Sequence, residues 1–208
     1  MHIRKIGTAF AIALTTFALS ACGKAAPKSA EVSEDKIAEF LDDTVTGVSY
    51  MYIYDTDYAE HDALDSDIEL RLAAASIYAN NGELADNGNY DIIPADTMEK
   101  ELVELFGDSS MSESFDGNNY VMKDGNGDYQ ILLGDWGTAQ PYYTIDSTTV
   151  DSSTGETDLT IHYSLKDMEE DKELTDQYYY LVKLGVVSDD SSSYGFRIVS
   201  FSGHSDTK

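Results

Sequence analysis

The sequence predicts an α+β fold in which N-terminal helices pack on a curved, mainly antiparallel sheet. Three observations lead there. Between residues 34 and 106, apolar side chains recur every three or four positions, the spacing of one helix face. From residue 120 onward the period falls to two, as in a strand buried on one side. Clusters of Asp, Gly, Asn and Ser separate the later segments by short turns, so consecutive strands run antiparallel.

After Ser33, a residue type that caps helix starts, Ile37, Phe40, Leu41, Val45, Val48, Met51 and Tyr52 form one stripe. Asp55-Thr56-Asp57 interrupts it. Leu64, Ile68, Leu72, Ala75 and Ala79 then repeat the spacing until Asn80-Asn81-Gly82, where a glycine suits a left-handed C-terminal cap. The two segments predict an antiparallel helical hairpin. Residues 83–89 read as a surface loop, and Tyr90-Asp91-Ile92-Ile93 as a short strand stopped by Pro94. Asp96 and Glu99 have the spacing of a capping box, with Asp96 as the cap. Met98, Leu102, Leu105 and Phe106 supply the apolar face of that third helix, and Gly107 closes it.

The clearest strand covers 159–166, where Leu159, Ile161, Tyr163 and Leu165 point one way and Thr160, His162, Ser164 and Lys166 the other. Segments 121–122, 129–133, 142–150, 178–187 and 196–201 are the further strands. Asp-Gly-Asn-Gly, Ser-Ser-Thr-Gly and Asp-Asp-Ser-Ser-Ser turns separate them.

The start of the chain carries an address. Met1-His2-Ile3-Arg4-Lys5 is basic, an uncharged apolar run reaches Leu19, and small residues precede the only cysteine in Leu19-Ser20-Ala21-Cys22-Gly23. The run is too short for a stable membrane span and has the order of a secretory leader. Leu19-Ser20-Ala21-Cys22 resembles the lipobox of bacterial lipoproteins. That resemblance implies a signal peptide over residues 1–21, cleavage before Cys22 and acylation of its thiol. Residues 22–33, small, polar and interrupted by Pro27, then form the lipidated cysteine and a flexible tether. Residues 34–208 form a single α+β domain. The implied location is the extracytoplasmic face of the cell membrane, with the bilayer as a partner through the Cys22 acyl chains.

The order of helices, short strand, helix and long antiparallel strands resembles the NTF2-like (cystatin-like) fold. The resemblance implies a cone whose curved sheet and helices enclose a pocket, a frame used by binding modules and enzymes alike.

Composition excludes some roles. The chain has 39 acidic residues against 13 Lys and Arg, a formal net charge of −26, and loss of the leader removes Arg4 and Lys5 as well. Such a charge repels nucleic acid, which needs clustered cations to neutralise phosphates. With its one thiol acylated, the domain has no internal disulfide.

Candidate chemistry is sparse. Asp124, Asn126 and Asp128 present oxygens at alternate positions, with Asp135 where the last carboxylate of a calcium-binding loop would fall. The sixth loop position is Tyr129 instead of glycine and strands flank the loop. The segment is therefore read as a hairpin turn, with calcium as the weaker alternative. His61, His162 and His204 are not grouped by spacing. No zinc helix, nucleophile elbow or phosphate-cradling loop is present, so no cofactor and no catalytic residue is assigned. Trp136, Tyr142 and Tyr143 place large rings beside turn glycines and form the candidate binding patch for an envelope protein or a glycan. The functional expectation is a lipid-anchored extracytoplasmic domain that binds a ligand or protein partner at the bacterial cell envelope. The alternative is a secreted wall-directed hydrolase using paired carboxylates.

Overall fold

The computed structural model describes residues 32–54, 62–81, 84–86, 90–109, 121–132, 139–167, 172–173 and 179–205. Helix α1 (Glu34–Tyr54) opens as the Ile37 N–H donates to the Ser33 carbonyl at 3.1 Å, and Glu34 and Asp35 in its first turn oppose the positive helix end. Ile37, Phe40 and Leu41 of the expected stripe are buried. Helix α2 (Ser66–Asn81) is capped by Asp65, whose Oδ1 accepts the N–H groups of Asp67 at 3.1 Å and Ile68 at 3.0 Å.

Every residue of α2 from 68 to 77 is buried, where the spacing had predicted a single apolar face. The reason is position: α1 packs on α2 from one direction and helix α3 (Ala95–Phe106) from another. Its small residues Ala73, Ala74, Ala75 and Ser76 let those neighbours approach closely.

Helix α3 corrects the capping-box expectation. It begins at Ala95, with Pro94 in the cap position and no side-chain cap from its own segment. The Pro94 carbonyl accepts the N–H groups of Thr97 at 3.0 Å and Met98 at 3.1 Å, so Asp96 lies inside the first turn and pairs on the surface with Lys100 at 3.6 Å. The cap acceptor comes from elsewhere: Asp128 Oδ1 takes the Ala95 N–H at 3.0 Å. Gly107 closes the helix as expected, with φ +83° and its N–H on the Val103 carbonyl at 2.9 Å.

Two antiparallel sheets follow. The small one has the order β1 (Ala85–Asp86), β2 (Tyr90–Ile93), β4 (Tyr129–Leu132), β3 (Val121–Lys123). The long one runs β5 (Ala139–Val150), β6 (Glu156–Asp167), β8 (Tyr179–Ser188), β9 (Phe196–Ser205), with β7 (Lys172–Glu173) also on β6. Two register shifts interrupt the long ladders, one leaving Asp146 extra in β5 and one leaving Val199 extra in β9. Bulges of this kind bend and twist their strands.

One face of the long sheet carries Leu159, Ile161, Tyr163, Tyr180, Val182, Leu184, Phe196, Ile198 and Phe201, all buried in the same core as the helices. Helix α1 meets this sheet at β5 and β6, and α3 meets it at β9. The α+β class, the helices and the antiparallel strands agree with the sequence. Among the described residues, no helix is long and apolar enough to cross a membrane.

Candidate functional site

The three helices and the turn between β8 and β9 wall a cleft of about 580 Å³, within the range of small-ligand sites. Helix α1 contributes Lys36, Glu39, Phe40 and Asp43, positions spaced by three and four along one edge of its apolar stripe. Helix α2 adds Ile77 and Asn80, and α3 adds Thr97, Lys100 and Glu101 by the same spacing. The turn supplies Ser193 and Tyr194.

Local chemistry shapes that turn. Asp189 Oδ1 accepts the Ser191 N–H at 2.8 Å and the Ser191 hydroxyl at 2.6 Å, an arrangement that folds the chain back on itself. These hydrogen bonds hold the Asp189 carboxyl below its usual value, with the nearby Arg197 guanidinium helping. Arg197 Nε closes the base of the turn on Asp189 Oδ2 at 2.6 Å. The turn is fastened to α3 as well: the Ser192 hydroxyl donates to the Glu104 carbonyl at 2.8 Å, and the Ser193 N–H to Glu104 Oε2 at 2.6 Å. Gly195 has φ +76°, a left-handed backbone conformation that favours glycine.

Tyr194 is the centre of the site. Its ring packs edge-on against Phe40, centroids 5.5 Å apart, and tilted against Phe196 at 6.1 Å. Its hydroxyl lies 2.5 Å from Glu101 Oε1 and 2.6 Å from Ser76 Oγ. A carboxylate can only accept, so the tyrosine proton goes to Glu101 and the serine proton to Tyr194. Asn80 Nδ2 donates to the Ser76 carbonyl at 2.9 Å and approaches Ser76 Oγ at 3.4 Å. The chain Asn80, Ser76, Tyr194, Glu101 thus joins α2, the turn and α3. Burial, then the Glu101 hydrogen bond, pushes the Tyr194 hydroxyl well above its usual value, so it stays protonated. Burial also pushes the Asp43 carboxyl up, and the neighbouring Glu39 and Asp42 push it further.

Of the site residues singled out by sequence, none that the structure describes lines this cleft. Trp136, like Cys22 and residues 23–31 of the tether, lies outside the described residues, whereas Val32 at the tether's end is buried in the core, so the packed domain begins before residue 34. Tyr142 and Tyr143 are successive residues of β5 and face opposite sides of the sheet. Tyr143 is on the helix side, where its single hydroxyl proton is shared between the Ala38 carbonyl at 3.1 Å and Asp42 Oδ1 at 3.0 Å of α1. Its ring packs on Tyr163, centroids 6.0 Å apart. The two rings therefore do not share one surface.

Asp124, Asn126 and Asp128 do come together, in the hairpin turn joining β3 and β4. Asp124 Oδ1 accepts the N–H groups of Asn126 at 2.7 Å and Asp128 at 3.0 Å, while the Asp128 carboxylate faces α3. Asp135, the fourth member of the calcium alternative, is outside the described residues, as is His61. His162 and His204 stand in one cross-strand row on either side of Leu181, each 3.9 Å from an aspartate, Asp146 and Asp62. Among the described residues, no three His, Cys, Asp or Glu side chains are gathered so as to hold a metal ion.

Fold and site together define an α+β domain with a helix-walled polar cleft. In comparisons with known proteins, no family model, no curated protein and no solved structure matches the chain.

Proposed function

We propose that this protein is a lipid-anchored extracytoplasmic binding domain of the bacterial cell envelope, and that its ligand or partner docks in the cleft around Tyr194. The observation that carries the binding reading is the preformed cleft, with an aromatic wall fixed at both ends and polar groups from three helices converging on it. The location rests on the lipobox-like Leu19-Ser20-Ala21-Cys22, and the domain reads as NTF2-like from helices that precede a bulged antiparallel sheet. Two acyl chains make attachment stable where one is marginal, and a diacylated cysteine supplies two.

Cell fractionation of Cys22→Ala tests the location. The variant should accumulate as unprocessed chain or be released. Recovery in membranes in the wild-type mature form removes the anchor from this reading.

A second reading, a wall-directed hydrolase using paired carboxylates, is favoured by one observation: Glu39, Asp43 and Glu101 line the same cleft and Asp43 is held partly against ionisation. Release of soluble fragments from wall glycan, abolished in both Asp43→Asn and Glu101→Gln, would favour it over the binding domain.

A further inference from the structure

We infer that the cleft around Tyr194 selects a neutral saccharide, a class that rests on the reading of this cleft as the binding site. Charge narrows the choice first. The protein as a whole is strongly acidic, yet here Lys36 and Lys100 stand among Glu39, Asp43 and Glu101. The three carboxylates outnumber the two ammonium groups, so an anion is disfavoured, whereas an uncharged ligand meets no repulsion from either sign.

The polar groups narrow it further. Carboxylates accept only, ammonium groups donate only, and Asn80, Thr97 and Ser193 do both. A ligand that satisfies such a mixed lining must offer many groups able to donate and accept, which is what a set of sugar hydroxyls provides.

The third requirement is an apolar surface for the C–H faces of the ring. Tyr194 is half-buried, with Phe40 and Phe196 behind it and its hydroxyl tied to Glu101, so its ring cannot swing away when a ligand arrives. A rigid aromatic wall beside paired donors and acceptors matches a pyranose better than a flexible peptide.

The test uses the full chain in detergent micelles, with N,N′-diacetylchitobiose as the saccharide probe and trialanine as a zwitterionic control. Titration calorimetry and saturation-transfer NMR should show saturable binding of the sugar, with the strongest transfer to its ring C–H protons. Tyr194→Ala should weaken it by about tenfold or more, Thr97→Val should weaken it while leaving the thermal melt unchanged, and Asn80→Ala should weaken it with a lowered melt from the lost hydrogen bond to the Ser76 carbonyl. Binding of trialanine but not of the sugar overturns the saccharide class and leaves the cleft as the site. Sugar binding unaffected by all three variants overturns the cleft itself. Absence of binding by either probe overturns the saccharide class.

Discussion

The Asp128 carboxylate accepts the Ala95 backbone N–H at 3.0 Å, so the first turn of α3 is capped by a hairpin 33 residues further along the chain. Asp128→Ala removes the acceptor and the negative charge near the helix N-terminus, and should cost about 0.5–2 kcal/mol in urea denaturation. Asp128→Asn keeps an acceptor oxygen and should lose less. Equal losses in the two variants would mean that the charge, not the hydrogen bond, stabilises the turn.

Tyr143 ties β5 to α1 through one hydroxyl shared between Ala38 and Asp42. Tyr143→Phe keeps the ring contact with Tyr163 and removes only that link, which should lower stability by about 1–2 kcal/mol. A Phe variant as stable as the wild type would show that water replaces the hydroxyl at no cost.

Gly107 combines a left-handed backbone with a close neighbour: a Cβ there would overlap the Arg197 guanidinium. Gly107→Ala should destabilise by more than the roughly 1–2 kcal/mol of the backbone conformation alone. Adding Arg197→Ala should recover the part due to overlap and none of the part due to φ. A strictly additive double mutant, measured by chemical denaturation, would refute the contact between them.

Asp43 makes a prediction with a sign. Its carboxyl is raised by burial and then by Glu39 and Asp42, so folding disfavours its ionised form. The resulting penalty is absent below the ordinary value of 3.8 and complete once pH has risen past the raised folded value. Asp43→Asn should therefore melt above the wild type at neutral pH, and the gap should close as pH falls. Glu69 is raised in the same direction, so the difference between the two proteins, not the wild-type curve, isolates Asp43. A gap that is constant with pH would refute the assignment.

Periodicity in the sequence was enough to find α1, α2 and the long strands, because burial on one face leaves a repeating trace in the residues themselves. Gly107 and the turn at Asp124–Asp128 were legible for the same local reason, the tolerance of glycine for positive φ and of aspartate for bonding its own backbone. The true start of α3 was not, since its cap, Asp128, belongs to another element and Asp96 offered a nearer false one. The cleft was hidden more deeply. Glu39 and Asp43 carry the spacing that puts them beside the α1 stripe, but nothing local marks Tyr194 as their neighbour. The segment around it reads only as a serine-rich turn until Glu104 and Glu101 are brought against it by packing. Tyr143 shows the converse: its ring marked it as a surface anchor, and the tertiary structure gives its hydroxyl to α1.

The fastening of the β8–β9 turn has a kinetic consequence. Asp189 and Arg197 clamp its two ends, Glu104 holds its middle through two hydrogen bonds, and Glu101 and Ser76 hold its aromatic tip. A wall assembled this way before encounter has no closing step to make, so occupancy should follow ligand in one phase whose observed rate climbs linearly with concentration and never levels off.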